Sequence, residues 1–278
     1  MTTNSKLNWA VIPCAGLGTR LLPVTRSIPK AMLPVGNYPL IHFAVTEATN
    51  LGIENILIII GDGMDAIRSY FTENSNLNNA LKLQGENNLL EDQNKITSLA
   101  DIRFLLQEKP LGVGHAIKLT KRIIGDNPFA VILPDDLIFA KPNALGQLKI
   151  VYDKHGGNVI GLNKLKNNEI EKKGIVGYTE DKDRFKINQL IEKPKISDAP
   201  SNIGILGRYI FEYSIFDEIL DESDKEINVT DAMMSSINTT PVSGKLLEGY
   251  HFDTGNTRGI VRASNFFMKN SKLILDDY

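Results

Sequence analysis

The stretch that most constrains this chain is its opening, Ala10-Val-Ile-Pro-Cys-Ala-Gly-Leu-Gly-Thr-Arg20, continuing to Pro34. An apolar run, Trp9–Ile12, reads as a strand and empties into a loop carrying Gly16 and Gly18, followed by Arg20, Arg26 and Lys30. Glycines let a backbone approach an anion closely with its N–H groups aimed at it. The cations beyond can neutralise a polyphosphate. A strand, a glycine loop and cations in that order predict a nucleoside triphosphate site at a strand end, with Ala15, Gly16, Gly18 and Thr19 as the phosphate loop. The loop is not the dinucleotide fingerprint, because Leu21 stands where a third glycine would be. It is not a Walker A loop either, since no Gly-Lys-Ser/Thr follows.

The rest of the first half repeats the strand-then-helix order. Strands are expected at Trp9–Ile12, Asn55–Ile60, Ile102–Leu106, Phe129–Leu133 and Asn158–Leu162. Helices are expected at Leu40–Leu51, with Ile41, Ala44, Val45 and Ala48 on one face and Gly52 as the stop, and at Met64–Phe71, Gly114–Ile124 and Asn143–Lys154. This alternation predicts an α/β fold, a Rossmann-like mixed, mainly parallel sheet flanked by helices, with ligands beyond the carboxyl ends of the strands. The second half is richer in strands: Val176–Glu180, Phe185–Glu192, Ile203–Ile210 and Val242–Leu247. Helices follow at Ser214–Leu220, Thr230–Ser236 and Thr257–Lys269. The asparagine-rich region 73–94 reads as a helix-and-loop excursion. No repeat or linker interrupts the chain, so 1–278 is expected to be one domain.

A net charge of −2 over 278 residues gives no overall affinity for nucleic acid or a membrane surface, so an anionic substrate needs a local basic patch. The single cysteine, Cys14, excludes an internal disulfide and fits a reducing compartment. Met1–Asn8 is polar, without a signal-peptide core, and Ile56–Ile60 is far too short to span a bilayer. The expectation is a soluble, cytoplasmic protein.

Further motifs lie along the chain. Gln107-Glu-Lys-Pro-Leu-Gly-Val-Gly-His-Ala116 places at a strand end an amide that can both donate and accept; alone it would read as a solvated strand end. Val131-Ile-Leu-Pro-Asp-Asp-Leu137 ends a strand in two carboxylates, a donor set that suits magnesium sharing phosphate ligands; alone it would equally be a turn. Gln189-Leu-Ile-Glu-Lys-Pro194, Ser201-Asn-Ile-Gly-Ile-Leu-Gly-Arg-Tyr209, Glu226-Ile-Asn-Val-Thr-Asp-Ala232 and Phe252-Asp-Thr-Gly255 complete the set. The four histidines have no metal-ligand spacing.

Together these motifs resemble the bacterial UTP–glucose-1-phosphate uridylyltransferase (UDP-glucose pyrophosphorylase) family of sugar nucleotidyltransferases, from about Trp9 to Phe267. The resemblance implies a nucleotide-diphospho-sugar transferase fold, with a nucleotide-binding part over about 8–140 and a sugar-binding and oligomerisation part over about 141–278. The implied reaction joins UTP and glucose-1-phosphate to give UDP-glucose and diphosphate, in a homo-oligomer (dimer or tetramer) using Mg2+. It implies Arg20, Lys30 and Lys193 as catalytic cations and Gln107 and Gly112 at the base. It implies Gly174, Glu192, Lys193 and Asn202 at the sugar, Glu192 on its hydroxyls and Lys193 on its phosphate, and Asp135 and Asp253 as metal ligands, with Asp136 orienting the metal or capping a turn. The chain departs from the family pattern at Ala31 (usually Glu), Lys173 (usually Tyr), Thr254 (usually Cys) and Thr257 (usually Lys, which the neighbouring Arg258 partly replaces). These positions bear on base and sugar contacts. Two other readings remain open: a different triphosphate and sugar-phosphate pair, such as one using dTTP, or a non-catalytic regulatory paralogue that binds nucleotide sugar. Arg20, absent from such paralogues, favours an active enzyme.

Overall fold

The computed structural model describes residues 6–220 and 226–275; of the polar stretch Met1–Asn8, residues 1–5 lie outside the described residues. The strands in chain order are β1 (Trp9–Pro13), β2 (Pro34–Val35), β3 (Tyr38–Pro39), β4 (Asn55–Ile60), β5 (Asp101–Leu106), β6 (Phe129–Ile132) and β7 (Asp136–Phe139). They continue with β8 (Asn158–Lys164), β9 (Gly174–Asp181), β10 (Arg184–Glu192), β11 (Ile203–Phe211), β12 (Val242–Leu246) and β13 (Tyr250–Asp253). A 9-stranded sheet runs β5-β4-β1-β6-β11-β8-β12-β10-β9. β5, β4, β1 and β6 are mutually parallel, and β12 is parallel to β8. β11 and β10 run against their neighbours. The mixed α/β sheet is therefore the one expected, with its antiparallel strands confined to the second half.

Side-chain alternation along the central strands shows why both faces are covered. Val11, Leu57 and Ile59 point into one core with Ala116 and Ile117 of the helix Gly112–Lys118. Ala10, Ile12, Ile56 and Ile58 point into the other, with Ile41, Ala44 and Val45 of Leu40–Thr49 and Leu145 and Leu148 of Ala144–His155. A strand apolar on both faces, such as β4, is stable only in the middle of such layers. Because β1 pairs with β4 on one side and β6 on the other, the chain leaves it in opposite directions and a crevice opens beyond its carboxyl end.

Several elements differ from expectation. The helix at 40–49 is buried over Leu40–Ala48, polar His42, Thr46 and Glu47 included, so its one-sided apolar pattern understates its burial. Its outer side meets a third core that includes Phe43, Phe139, Phe252 and Phe267. That core is built by a two-stranded sheet of β7 and β13 and by the terminal helix Thr257–Leu275, which continues past the expected Lys269. Residues expected to form one helix over 114–124 form two, Gly112–Lys118 and Lys121–Ile124. The break lies at the buried Thr120, whose hydroxyl donates to the Ile117 carbonyl at 2.6 Å and competes with the helix ladder. The asparagine-rich excursion is two helices, Ser75–Gln84 and Asn87–Thr97; the Asn74 side chain caps the first by accepting from the Leu77 N–H. No helix of the described residues is long and apolar enough to cross a membrane.

Candidate active site

Beyond β1 and β6 lies a cleft of about 490 Å3. It is lined by Ala15, Gly16, Gly18 and Thr19 from the loop after β1, by Lys30, by Gln107 and Gly112, and by Asp135 after β6. The parallel pairing of β1 with β6, Val11 opposite Val131, carries both strand ends to the same level and brings Asp135 to the glycine loop from more than a hundred residues away. Gly18 adopts φ +64° with Thr25 folded tightly over it, and the Thr25 hydroxyl donates to the Gly18 carbonyl. A side chain there would strain the backbone. After the loop the chain makes three short 3-10 turns, Thr19–Leu21, Val24–Arg26 and Lys30–Met32. Side chains at 20, 26 and 30 therefore diverge. Lys30 lines the cleft, whereas Arg20, which turns to Asp253, and Arg26 are exposed and lie outside that lining.

Four cations of the region are each paired with a carboxylate. Lys30 Nζ lies 2.7 Å from Asp135 Oδ2, Arg20 3.7 Å from Asp253, Lys173 3.0 Å from Asp136 and Lys193 3.4 Å from Glu192. The Arg20 pair is long and exposed and contributes little stability. Asp253 and Asp135 belong to one unit: the Thr254 N–H and hydroxyl both donate to the Asp135 carbonyl at 2.8 Å. Each keeps carboxylate lone pairs free beyond its partners, the Gly255 N–H on Asp253 and Lys30 on Asp135. Two carboxylates so placed suit a divalent ion that takes its other ligands from phosphates and water. Among the described residues no group of three or more His, Cys, Asp or Glu forms a complete protein cage.

Asp136 takes a role that the spacing of residues did not show. It begins β7, is buried, and accepts from Lys173, from the Gly207 N–H at 3.0 Å and from His251, whose Nε2 lies 2.8 Å away. Burial pushes its carboxyl up, but Lys173 and His251 outweigh burial and hold it well below the usual carboxylate range. Burial likewise opposes charge on Lys173, yet Asp136, then Asp253 and Asp135, raise its pKa overall. Asp136 is thus neither a bare turn cap nor an open metal ligand. The signals in the sequence are Lys173, out of family pattern, and the Asp pair itself; His251 carries no such signal, because no metal-ligand spacing surrounds it.

Of the residues expected at the sugar, Gly174, Glu192 and Lys193 form a neighbouring group. Gly174 and Glu192 are directly opposite in the β9–β10 ladder. A Cβ on Gly174 would stand 3.1 Å from both Glu192 Oε2 and Thr230 Oγ1, so only glycine allows this approach without displacement. Thr230 donates to Glu192 at 2.8 Å. Lys193 is held at φ +47° with its N–H on the Lys173 carbonyl, which links it through Lys173 to Asp136. Asn202 is exposed at the start of β11, outside the cleft lining. Cys14 is buried in the cleft wall. Burial pushes its thiol far up, and Lys30 only partly offsets this, so it is a protonated packing residue rather than a nucleophile.

The family model for nucleotidyl transferases matches residues 9–270. The chain belongs to the nucleotidyl transferase family. It is 39% identical over 263 residues to the UTP–glucose-1-phosphate uridylyltransferase YngB of Bacillus subtilis, covering 93% of this chain and 89% of that protein. A UDP-glucose pyrophosphorylase solved with UDP-glucose superimposes with a TM-score of 0.85 at 32% identity, over 95% of this chain and 100% of the other. The UTP-bound enzyme from Acinetobacter baumannii gives 0.88 at 31%, over 97% and 99%. The uridylyltransferase resemblance read from the motifs is thereby borne out across nearly the whole chain.

Proposed function

We propose that this nucleotidyltransferase converts UTP and α-D-glucose 1-phosphate to UDP-glucose and diphosphate. The observation that carries the reading is the cleft beyond β1 and β6, where a glycine loop, Lys30, Asp135 and Gln107 meet. Solved relatives above 30% identity that contain UTP or UDP-glucose support it. A phosphate oxygen of the sugar phosphate attacks the α-phosphorus of UTP in line. The new P–O bond forms as the bond to the β-phosphate bridging oxygen breaks, and diphosphate departs with that electron pair. The attacking oxygen is already anionic near neutral pH, so no general base is needed. The difficulty is bringing two anions together, which positioned cations overcome. Lys193 holds the nucleophile, Lys30 and Arg20 receive the leaving diphosphate, and Ala15, Gly16, Gly18 and Thr19 cradle the phosphates. Gln107 and Gly112 take the base; Glu192 and Gly174 take sugar hydroxyls, while a sugar role for Asn202 rests on family resemblance alone. Asp135 and Asp253 would hold the divalent ion, Mg2+ in this reading, which when bound neutralises phosphate charge.

The same reading takes 1–278 as one domain, nucleotide-handling over about 8–140 and sugar-handling over about 141–278, with one sheet continuous through both. It expects a cytoplasmic homo-oligomer, dimer or tetramer, on the strength of the resemblance and the lone cysteine. Diphosphate release, measured over a panel of triphosphates and sugar 1-phosphates, tests the assignment. UTP with glucose-1-phosphate should give the highest kcat/KM. Lys193→Ala should lose about 2–4 kcal/mol of transition-state stabilisation. No release with any pair, or a Lys193→Ala variant as active as wild type, would overturn the proposal. The panel includes dTTP and other hexose 1-phosphates, because Lys173 changes the charge beside the sugar group.

A further inference from the structure

Gln107 presents only one end of its amide to the cleft. Its Nε2 donates to the Gly112 carbonyl at 3.1 Å and lies 2.8 Å from His115 Nδ1, so both amide hydrogens are used inside the protein. The Gly112 carbonyl decides which end of the amide is nitrogen, because the reverse orientation would set two oxygens against each other. A donor at Gln107 Nε2 requires His115 Nδ1 to be a lone pair, so the imidazole is neutral with its proton on Nε2. Burial lowers the His115 pKa, in keeping with that form. Among the described residues none donates to Gln107 Oε1, and Gln107 lines the cleft. The surrounding backbone is fixed as well. The Ile227 N–H donates to the Leu111 carbonyl and the Gly114 N–H to the Ile227 carbonyl. Gly112, at φ +90°, has no room for a Cβ against Glu226 and Ile227.

We propose that His115 is a positioning residue that locks the Gln107 amide with its oxygen toward the base, so that the cleft selects nucleotides whose base presents a ring N–H at that edge. Uracil and thymine carry such an N–H at N3. Cytosine carries a lone pair there and would meet Oε1 lone pair to lone pair. This refines the expectation of an amide that both donates and accepts: the donor half is already spent. The inference rests on the proposed triphosphate cleft and names the chemical class of base that it reads.

The test is calorimetric binding of UTP and of CTP in magnesium buffer without sugar phosphate, to the wild-type chain, His115→Leu and His115→Gln. A site built around one polar group rejects a mismatched partner strongly, so the wild type should prefer UTP over CTP by about 100-fold or more. In His115→Leu the amide is free to turn, and the ratio should fall by about tenfold or more, through tighter CTP as well as weaker UTP binding. A general loss of structure would weaken both nucleotides together. His115→Gln offers an amide oxygen to Gln107 Nε2 and should keep the wild-type ratio. An unchanged ratio in His115→Leu, or a wild type that binds CTP as tightly as UTP, overturns this inference and leaves the triphosphate site standing. A wild type that binds no triphosphate overturns the proposed function and the inference with it.

Discussion

His42 shows how one residue's surroundings set a property of the whole chain. Its ring stacks on Tyr38 at 4.5 Å, and its Nδ1 lies 3.1 Å from the Tyr70 hydroxyl. Burial lowers its pKa from 6.5 to about 4, while burial, then Tyr38, raises that of Tyr70, which therefore stays a donor. The unfolded chain takes a proton on this histidine near pH 6.5, and the folded chain only near pH 4. Stability is thus complete above the unfolded value and is lost as pH falls through that window, by up to about 3 kcal/mol. His42→Gln removes the titration. The urea midpoint of the variant should change less between pH 7 and pH 4 than that of the wild type; parallel slopes would show that His42 does not titrate in this range. Other residues were legible only as types. Gly18, Gly174 and Lys193 stood in motifs, but the close approach at Gly174 and the positive φ at Lys193 come from neighbours far along the chain.

At the level of elements, the helix Leu40–Thr49 is tied to β11 by a buried ion pair. Arg208 Nε lies 2.9 Å from Glu47 Oε1 and its Nη2 2.8 Å from Oε2, with both side chains 2% exposed. The remaining donor, Nη1, reaches the carbonyls of Leu133 and Gly207, and Glu47 also accepts from the Leu145 N–H. Leu133 stands just before Pro134 and Asp135, so this pair supports the backbone that presents Asp135 to the cleft. Glu47→Gln leaves the guanidinium buried without a counter-charge and should cost about 3–5 kcal/mol. Replacing both, Glu47→Leu with Arg208→Met, should recover most of that stability in urea denaturation. The double variant should still turn over more slowly, because the Leu133 carbonyl is released. If the double variant is as unstable as the single one, the pair's role as compensated burial is wrong. The parallel strands were readable because each is a contiguous apolar run, and their ends matched to within a residue or two. β7 and β13 were not readable, being four residues each and paired across more than a hundred residues of chain.

Across the whole molecule, Asp136 gathers Gly207 of β11, Lys173 before β9 and His251 of β13, so three segments of the second half of the chain meet at one buried carboxylate next to Asp135. A ligand that binds only this assembled form stabilises it by mass action. UTP at about 100 times its dissociation constant should add about 2.7 kcal/mol and raise the Tm by several degrees. Removing divalent ions with EDTA should shrink that shift, because Asp135 and Asp253 would then face the triphosphate uncompensated. An equal shift with and without EDTA would place the metal elsewhere. The sequence by itself determined the strand positions of the first half, the glycine loop after the first strand and the kinds of cations and carboxylates that follow, because those depend on local composition and on motifs a few residues long. Only the tertiary structure decided which cation meets which carboxylate, that Arg26 stays outside, that Asp136 is a buried hub and that Gln107 shows an oxygen. Those outcomes depend on which distant backbone atoms come within hydrogen-bonding distance, and that distance is set by strand register and helix packing across the whole sheet.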